Sequence, residues 1–387
     1  MKSSKFNIVI LVMVMLCVAI PTFANGQSEG GRPYIAVVSK GEQHDFWQQV
    51  KLGAKDASEK YGVDMTFEGP ASESDVQDQV EMLNNAMAKN PVAIALAALN
   101  TTSVIDQLEQ TKRDGIPVIG FDSGVPNAPS GSIYANASTD NYAAAGYGAE
   151  KMFEVIKSDI ENATASNPVK IIVLSQDASG ESILSRGKGF RDRMVELISE
   201  DTSLSFDDIK VMGNDGYISS ENPVNGSKVM IEMVVPASTD ATDVASSGIA
   251  VLNKYTSDNI IGFFCSNEAT VKGLLAATND GTELPSKYPN LKVVGFDAGE
   301  AQKNAVRSGY FIGSITQDPY SIGFKAVELA FKAYSGESVS DVDTGAKFYN
   351  KSNMDDADIS GLLYDWHLIY TNKAFQVFKT GRSFFYN

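Results

Sequence analysis

The chain is poor in the residues that build metal centres, disulfides and nucleophilic triads. It has two cysteines, Cys17 and Cys265, and two histidines, His44 and His367, in 387 residues. A structural zinc site draws four ligands from such residues, so no metal is expected, and nothing calls for a cofactor. If the N-terminal segment is removed, only Cys265 remains and no intramolecular disulfide can form. Basic residues are also scarce: 32 Lys and Arg face 48 Asp and Glu, a formal charge of −16. So acidic a surface repels phosphate backbones and excludes nucleic acid as a partner. After residue 24 no apolar run approaches the roughly 20 residues that span a bilayer.

Enzyme motifs are missing as well. Arg186-Gly187-Lys188-Gly189 is not a phosphate loop: position 182 is Ser, and Gly189 stands where Ser or Thr belongs. No dinucleotide-type glycine fingerprint follows the first apolar strand, and no nucleophile elbow lies near either histidine. Asp122 and Asp297 could be imagined as a hydrolytic pair, but no further catalytic group accompanies them, and the reading is of a protein that is not an enzyme.

What is present starts with a leader. Residues 1–24 carry Lys2 and Lys5, an apolar run over 8–20, and Thr22-Phe23-Ala24. That is a basic head, a hydrophobic stretch too short to span, and a small-x-small cleavage site. Export with cleavage after Ala24 is expected. Lipid attachment at Cys17 is the lesser alternative, because Leu16 precedes it where a small residue is usual.

From Tyr34 onward short apolar strands alternate with amphipathic helices. YIAVV, DMTF, PVAIALA and PVIGF are separated by helical spacing over 46–61, 75–89 and 102–113. After a helix expected over 142–156 the rhythm restarts with KIIVL, FFC and VVGF. Buried strands separated by helices indicate parallel sheets covered on both faces. The expected fold class is α/β, with two doubly wound parallel-sheet lobes. Residues 213–235 are longer than an ordinary connection and read as an insertion, with room for short elements of its own. The tail 353–387 also reads as extra.

Ligands of open α/β sheets bind beyond the carboxyl ends of the strands. Those positions carry His44, Phe46 and Trp47; Asp122 and Ser123; Arg186; Ser266 and Asn267; Asp297; and Gln317. Carboxylates accept hydrogen bonds from paired hydroxyls, a guanidinium and amides donate to them, and aromatic faces cover the C–H faces of a ring. The set suits a sugar or similar polyol. Each residue also has an ordinary role open to it: Asp122 and Asp297 as turn residues, Asn267 and His44 as caps, Arg186 as a solvated charge.

IAVVS with DFWQQVKLGA, IPVIGFDS, STDNYAAAGYGAE, SRGKGF, FFCSNEA with GLLAA, VVGFDAG and GSITQDP occur in that order over 34–345. In combination they resemble the type 1 periplasmic sugar-binding proteins, the class typified by ribose binders. The resemblance implies that Phe46, Trp47, Asp122, Arg186, Ser266, Asn267, Asp297 and Gln317 hold the ligand, with His44 where ribose binders have asparagine. It implies three crossings between lobes, near 139–140, 317–318 and 348–351. The lobes would then comprise 33–138 with 318–348, and 139–317 with 349–387. Hinge closure and delivery to the membrane permease of an ABC importer would follow. A chemoreceptor or sensor kinase is the alternative partner, for a sugar or a furanosyl autoinducer. Ser123 stands where ribose binders carry a second arginine, so a wider pocket and a hexose are expected. A repressor sharing this fold would need a basic DNA-binding head, which residues 1–32 do not supply.

Overall fold

A computed structural model describes residues 31–364, so the leader, Cys17, His367 and the end of the tail lie outside the described residues. In chain order the first half comprises β1 (Tyr34–Val38), α1 (Asp45–Tyr61), β2 (Asp64–Glu68), α2 (Val76–Ala88), β3 (Ala93–Leu96), α3 (Ile105–Asp114), β4 (Val118–Phe121), β5 (Ile133–Ser138) and α4 (Asn141–Glu161). Then come β6 (Val169–Leu174), α5 (Glu181–Asp201), β7 (Ile209–Gly213), β8 (Val229–Val234), α6 (Ala241–Leu252), β9 (Ile260–Cys265), α7 (Glu268–Ala277) and α8 (Leu284–Lys287). The remainder is β10 (Lys292–Phe296), α9 (Glu300–Ser308), β11 (Gly313–Gln317), α10 (Pro319–Tyr334), β12 (Val342–Asp343), β13 (Ala346–Tyr349) and α11 (Ala357–Ser360).

Two sheets result, ordered β12-β5-β4-β3-β1-β2 and β13-β11-β10-β9-β6-β8-β7. Pairing is parallel throughout except for β13 on β11. The fold is α/β with two doubly wound lobes, as the strand and helix rhythm predicts. Each strand feeds both faces of its sheet. In β1, Ile35 and Val37 pack beneath α1 and α10, while Ala36 and Val38 join Leu83 and Leu108 under α2 and α3. In β6, Ile171 and Val173 meet Met152 and Phe190, while Ile172 and Leu174 meet Val244 and Leu274. Side chains alternate across a strand, so burial on both faces requires an unbroken apolar run. Each such Val, Leu or Ile contributes about 1.5–3 kcal/mol.

Residues 213–235 hold more than an inserted loop. Val229–Val234 pairs along its whole length with β6 on one side and with β7 on the other. With β7 set aside, the two sheets have the same order, second-first-third-fourth-fifth. The addition is therefore the outer strand β7 and the 214–228 connection, while β8 is integral. The alternation in VMIEMV, buried at every other residue, is the signature of a half-covered strand.

The chain passes between the sheets after Ser138, after Gln317, and between β12 and β13. The third passage falls at 344–345 rather than the expected 348–351. The reason is that Ala346–Tyr349 already pairs with β11.

Helices α1 and α10 lie almost in backbone contact. A Cβ on Gly53 would stand 1.9 Å from the Tyr320 carbonyl oxygen, and one on Gly323 would stand 1.9 Å from that of Val50. This contact joins the two parts of the first lobe, which are far apart in sequence.

Candidate functional site

Both sheets point their carboxyl ends at one cleft, and each has its order reversal there, between β1 and β3 and between β6 and β9. The lobes meet there around a small cavity of about 20 Å³. His44, Phe46, Trp47, Asp122, Arg186, Asn267, Asp297 and Gln317 line it, so eight of the residues singled out in the sequence come together.

The two aspartates are held by strand-end geometry. Each follows a Gly-Phe pair, at the end of β4 and of β10, and each has left-handed backbone, with φ of 53° at Asp122 and 79° at Asp297. Aspartate tolerates that conformation, and strained backbone of this kind gathers at ligand sites. Gln317 Nε2 donates to Asp297 Oδ1 at 2.7 Å, and the Glu268 N–H donates to Oδ2 at 2.9 Å. That N–H opens α7, whose N-terminal dipole favours a negative charge there. Asn267 caps the same helix, accepting from Thr270 N, and its amide also donates to Gln176. Its capping role and its place in the cavity wall coincide.

Arg186 is buried on α5. Its Nε donates to Asn141 Oδ1 at 2.8 Å and its Nη1 to the Ser266 carbonyl at 3.2 Å. The guanidinium lies over Phe296, 4.0 Å from the ring centroid, and Nη1 stands 3.8 Å from Asp297 Oδ2. A guanidinium fixed on three sides offers its remaining N–H groups to the cavity in a set direction. Phe46 and Trp47 meet edge to face at 4.9 Å, and Trp47 Nε1 donates to Glu73 Oε1 at 2.7 Å. His44 stands at the rim, its Nδ1 3.8 Å from Glu268 Oε1.

Ser123 and Ser266 do not line the cavity. Ser123 is fully buried behind it, its Oγ accepting from the Ser182 N–H at 3.4 Å. Ser266 Oγ accepts from the Gln176 N–H at 3.3 Å. Both brace the wall from behind.

Five lining residues escaped the sequence reading: Lys40, Glu73, Ser182, Ile183 and Glu268. The strand-end rule itself was the available signal. Lys40 lies two residues past β1, Glu73 in the β2–α2 connection, and Glu268 directly after β9 and its cap. Lys40 is 4 % exposed, with Nζ 3.8 Å from Asp122 Oδ2 and 3.4 Å from Ser182 Oγ in the other lobe. Burial would lower its pKa, but Asp122, Glu73 and Asp177 together raise it, so it stays charged. Burial pushes Asp122 up to about 6, with Lys40 and Arg186 pulling the other way. Burial would also raise Glu73, but Lys40, His44, Trp47 and Gln176 hold it below the usual carboxylate range.

Among the described residues no cluster of His, Cys, Asp or Glu could hold a metal, and no helix is long and apolar enough to cross a membrane.

The sequence profile of the periplasmic binding protein domain matches residues 35–338. The D-allose-binding periplasmic protein of Escherichia coli K12 is 22 % identical over 317 residues, 81 % of this chain and 88 % of that protein. A solved structure described as an ABC transporter, LacI family transcriptional regulator from Brachyspira murdochii is 40 % identical, with a TM-score of 0.70 over 86 % of this chain and 99 % of that one. A carbohydrate transporter solute-binding protein from Agrobacterium radiobacter, solved with D-arabinose, is 26 % identical, with a TM-score of 0.68 over 87 % of this chain and 100 % of that one. The chain belongs to the periplasmic binding protein domain family, whose members are solute-binding proteins rather than enzymes and are normally exported to the periplasm.

Proposed function

We propose that the protein captures one monosaccharide, with a hexose favoured, or a similar polyol between its lobes, and presents it to the membrane permease of an ABC importer. The observation that carries this reading is the wall of the cleft. Asp122 and Lys40 approach from the first lobe, and Arg186, Asn267 and Asp297 from the second, with Gln317 between them and the Phe46–Trp47 pair alongside. Hydroxyls of a ring satisfy acceptors and donors at once, while the aromatic pair covers its C–H face. The hexose preference rests on the broad Trp47 face and on the D-allose-binding relative.

Closure matters to affinity because neither lobe alone desolvates the ligand, and hydrogen bonds strengthen as water leaves. The three passages between sheets serve as the hinge, and the lobes divide along the two sheets. No cofactor or metal takes part. Export precedes this function, with the leader removed after Ala24, so mature protein should begin at Asn25.

A thermal-shift panel of pentoses, hexoses and polyols, with native mass spectrometry of any co-purified solute, tests the reading. A ligand at 100 times its Kd stabilises by about 2.7 kcal/mol. A clear shift with a hexose, and its recovery unchanged, is expected. A panel in which pentoses shift the protein and hexoses do not would refute the hexose preference alone. Stabilisation only by amino acids or other non-saccharides would refute the sugar assignment.

A further inference from the structure

The charge inside the cleft goes further than the sugar-binding reading on which this inference rests. Six charged side chains line the cavity: Lys40 and Arg186 against Glu73, Asp122, Glu268 and Asp297. On the second-lobe side the acids are matched. Lys272 Nζ lies 2.5 Å from Glu268 Oε1, and Asp297 has Arg186, the Gln317 amide and the Glu268 N–H. His44 adds its ring at the rim beside Glu268 and Lys272. Asp177, which also faces Lys40, is held by the N–H groups of Ser179 and Gly180 at 2.7 and 2.6 Å.

The first-lobe side is less well matched: one ammonium, Lys40, serves both Asp122 and Glu73, with Arg186 acting on Asp122 from across the cleft and His44 on Glu73 from the rim. Glu73 has the Trp47 N–H and the Gln176 side chain as further partners. Asp122 receives no side-chain hydrogen bond from the described residues, and its nearest cation remains Lys40 at 3.8 Å. Gln317 Oε1 is a second acceptor without a donor, on a residue 1 % exposed that lines the cavity. Closing the lobes over a neutral ring would bury one uncompensated negative charge, at a cost that rises as water leaves. A protonated amine brings one positive charge and three N–H donors to a site with a surplus of acceptors.

We propose that the preferred solute is an amino-substituted monosaccharide whose ammonium group sets its charge against Asp122. The competing way to remove the surplus charge is a proton on Asp122 itself, which burial favours.

Titration calorimetry on the purified protein at pH 7.5 separates the two. D-Glucosamine, D-galactosamine, D-mannosamine and 6-amino-6-deoxy-D-glucose are compared with their neutral parents and N-acetyl forms, in two buffers of different ionisation enthalpy. At least one amine should bind tenfold or more tightly than its parent and its N-acetyl form, without proton uptake. In Asp122→Asn that ratio should fall to about one. Asparagine accepts the left-handed backbone at this position, and circular dichroism verifies that the variant folds. If every amine binds no better than its parent, or a parent binds with uptake of a proton, the proposal is overturned. If no saccharide binds in either form, the sugar reading falls and this inference with it.

Discussion

Asp122 and Asp297 are counterparts in opposite lobes: each ends a Gly-Phe-Asp run with positive φ, and each donates its backbone N–H to the next strand. Asp122 N donates to the Ala137 carbonyl and Asp297 N to that of Ile315. The two carboxylates face each other across the cleft closely enough that the charge on Asp297 helps to raise Asp122. Their environments nevertheless differ, since Asp297 is enclosed by donors and Asp122 is left open.

Removing one partner of the Arg186–Asp297 pair leaves the other buried and unmatched, which costs about 2–5 kcal/mol in binding. Arg186→Ala and Asp297→Ala should therefore each weaken sugar binding roughly thirtyfold or more while circular dichroism stays unchanged. Calorimetry giving affinities close to that of the parent protein would place the ligand elsewhere.

Gly323 lies where α10 meets the backbone of α1, and a Cβ there collides with a carbonyl oxygen that cannot rotate away. Overpacking of this kind costs about 1–3 kcal/mol or more. Gly323→Ala should lower the thermal midpoint by several degrees. Gly361→Ala, with open space at its Cβ, should leave it unchanged. Equal midpoints for both variants would show that the helices can separate freely.

Much of the fold was legible because burial on both faces forces apolar runs such as YIAVV, KIIVL and VVGF. The error in the second lobe came from length: a 23-residue gap in the pattern looked like one insertion, and the alternation of Val229, Ile231 and Met233 went unread. At the site, residue types that suit hydroxyls drew attention to Asp122, Arg186 and Asp297. Lys40 and Glu73 were passed over because charged residues after strands are commonly solvated, whereas Lys40 is buried against Ser182 of the other lobe. Ser123 and Ser266 sit at the right places in the chain, yet strand geometry turns them into the wall.

Glu328 on α10 accepts from Tyr61 at 2.7 Å and meets Lys325 at 2.6 Å and Lys332 at 3.1 Å. Burial would raise its pKa, but these partners bring it down to about 2. A depressed carboxylate contributes stability that is present above its unfolded pKa and lost as pH falls through the folded value. Glu328→Gln should lose about 1–3 kcal/mol at pH 7. The difference from the parent protein should shrink from about pH 4.5 down to pH 2. Denaturant melts at pH 7 and at acid pH measure it, and a constant gap across that window would rule the linkage out.

Cys265 ends β9 fully buried, and burial pushes its thiol pKa far above the ordinary range. A thiolate is the reactive form. In a Cys17→Ser chain, Ellman's reagent should leave the native protein unmodified and titrate one thiol once guanidinium chloride unfolds it. Rapid modification of the native protein would mean that the second sheet opens readily.

The late arrival of α10, β12 and β13 constrains the order of folding. The first sheet cannot cover its inner face until α10 has been made, because Ile322 and Ala326 complete the cluster around Ile35, Val37 and Ile119. The outer edge of the second sheet waits for Ala346–Tyr349. Neither lobe can therefore finish as a cotranslational unit, and the growing chain keeps open edges and apolar faces until nearly all of it has emerged. Contacts so distant in sequence slow the search for the native state.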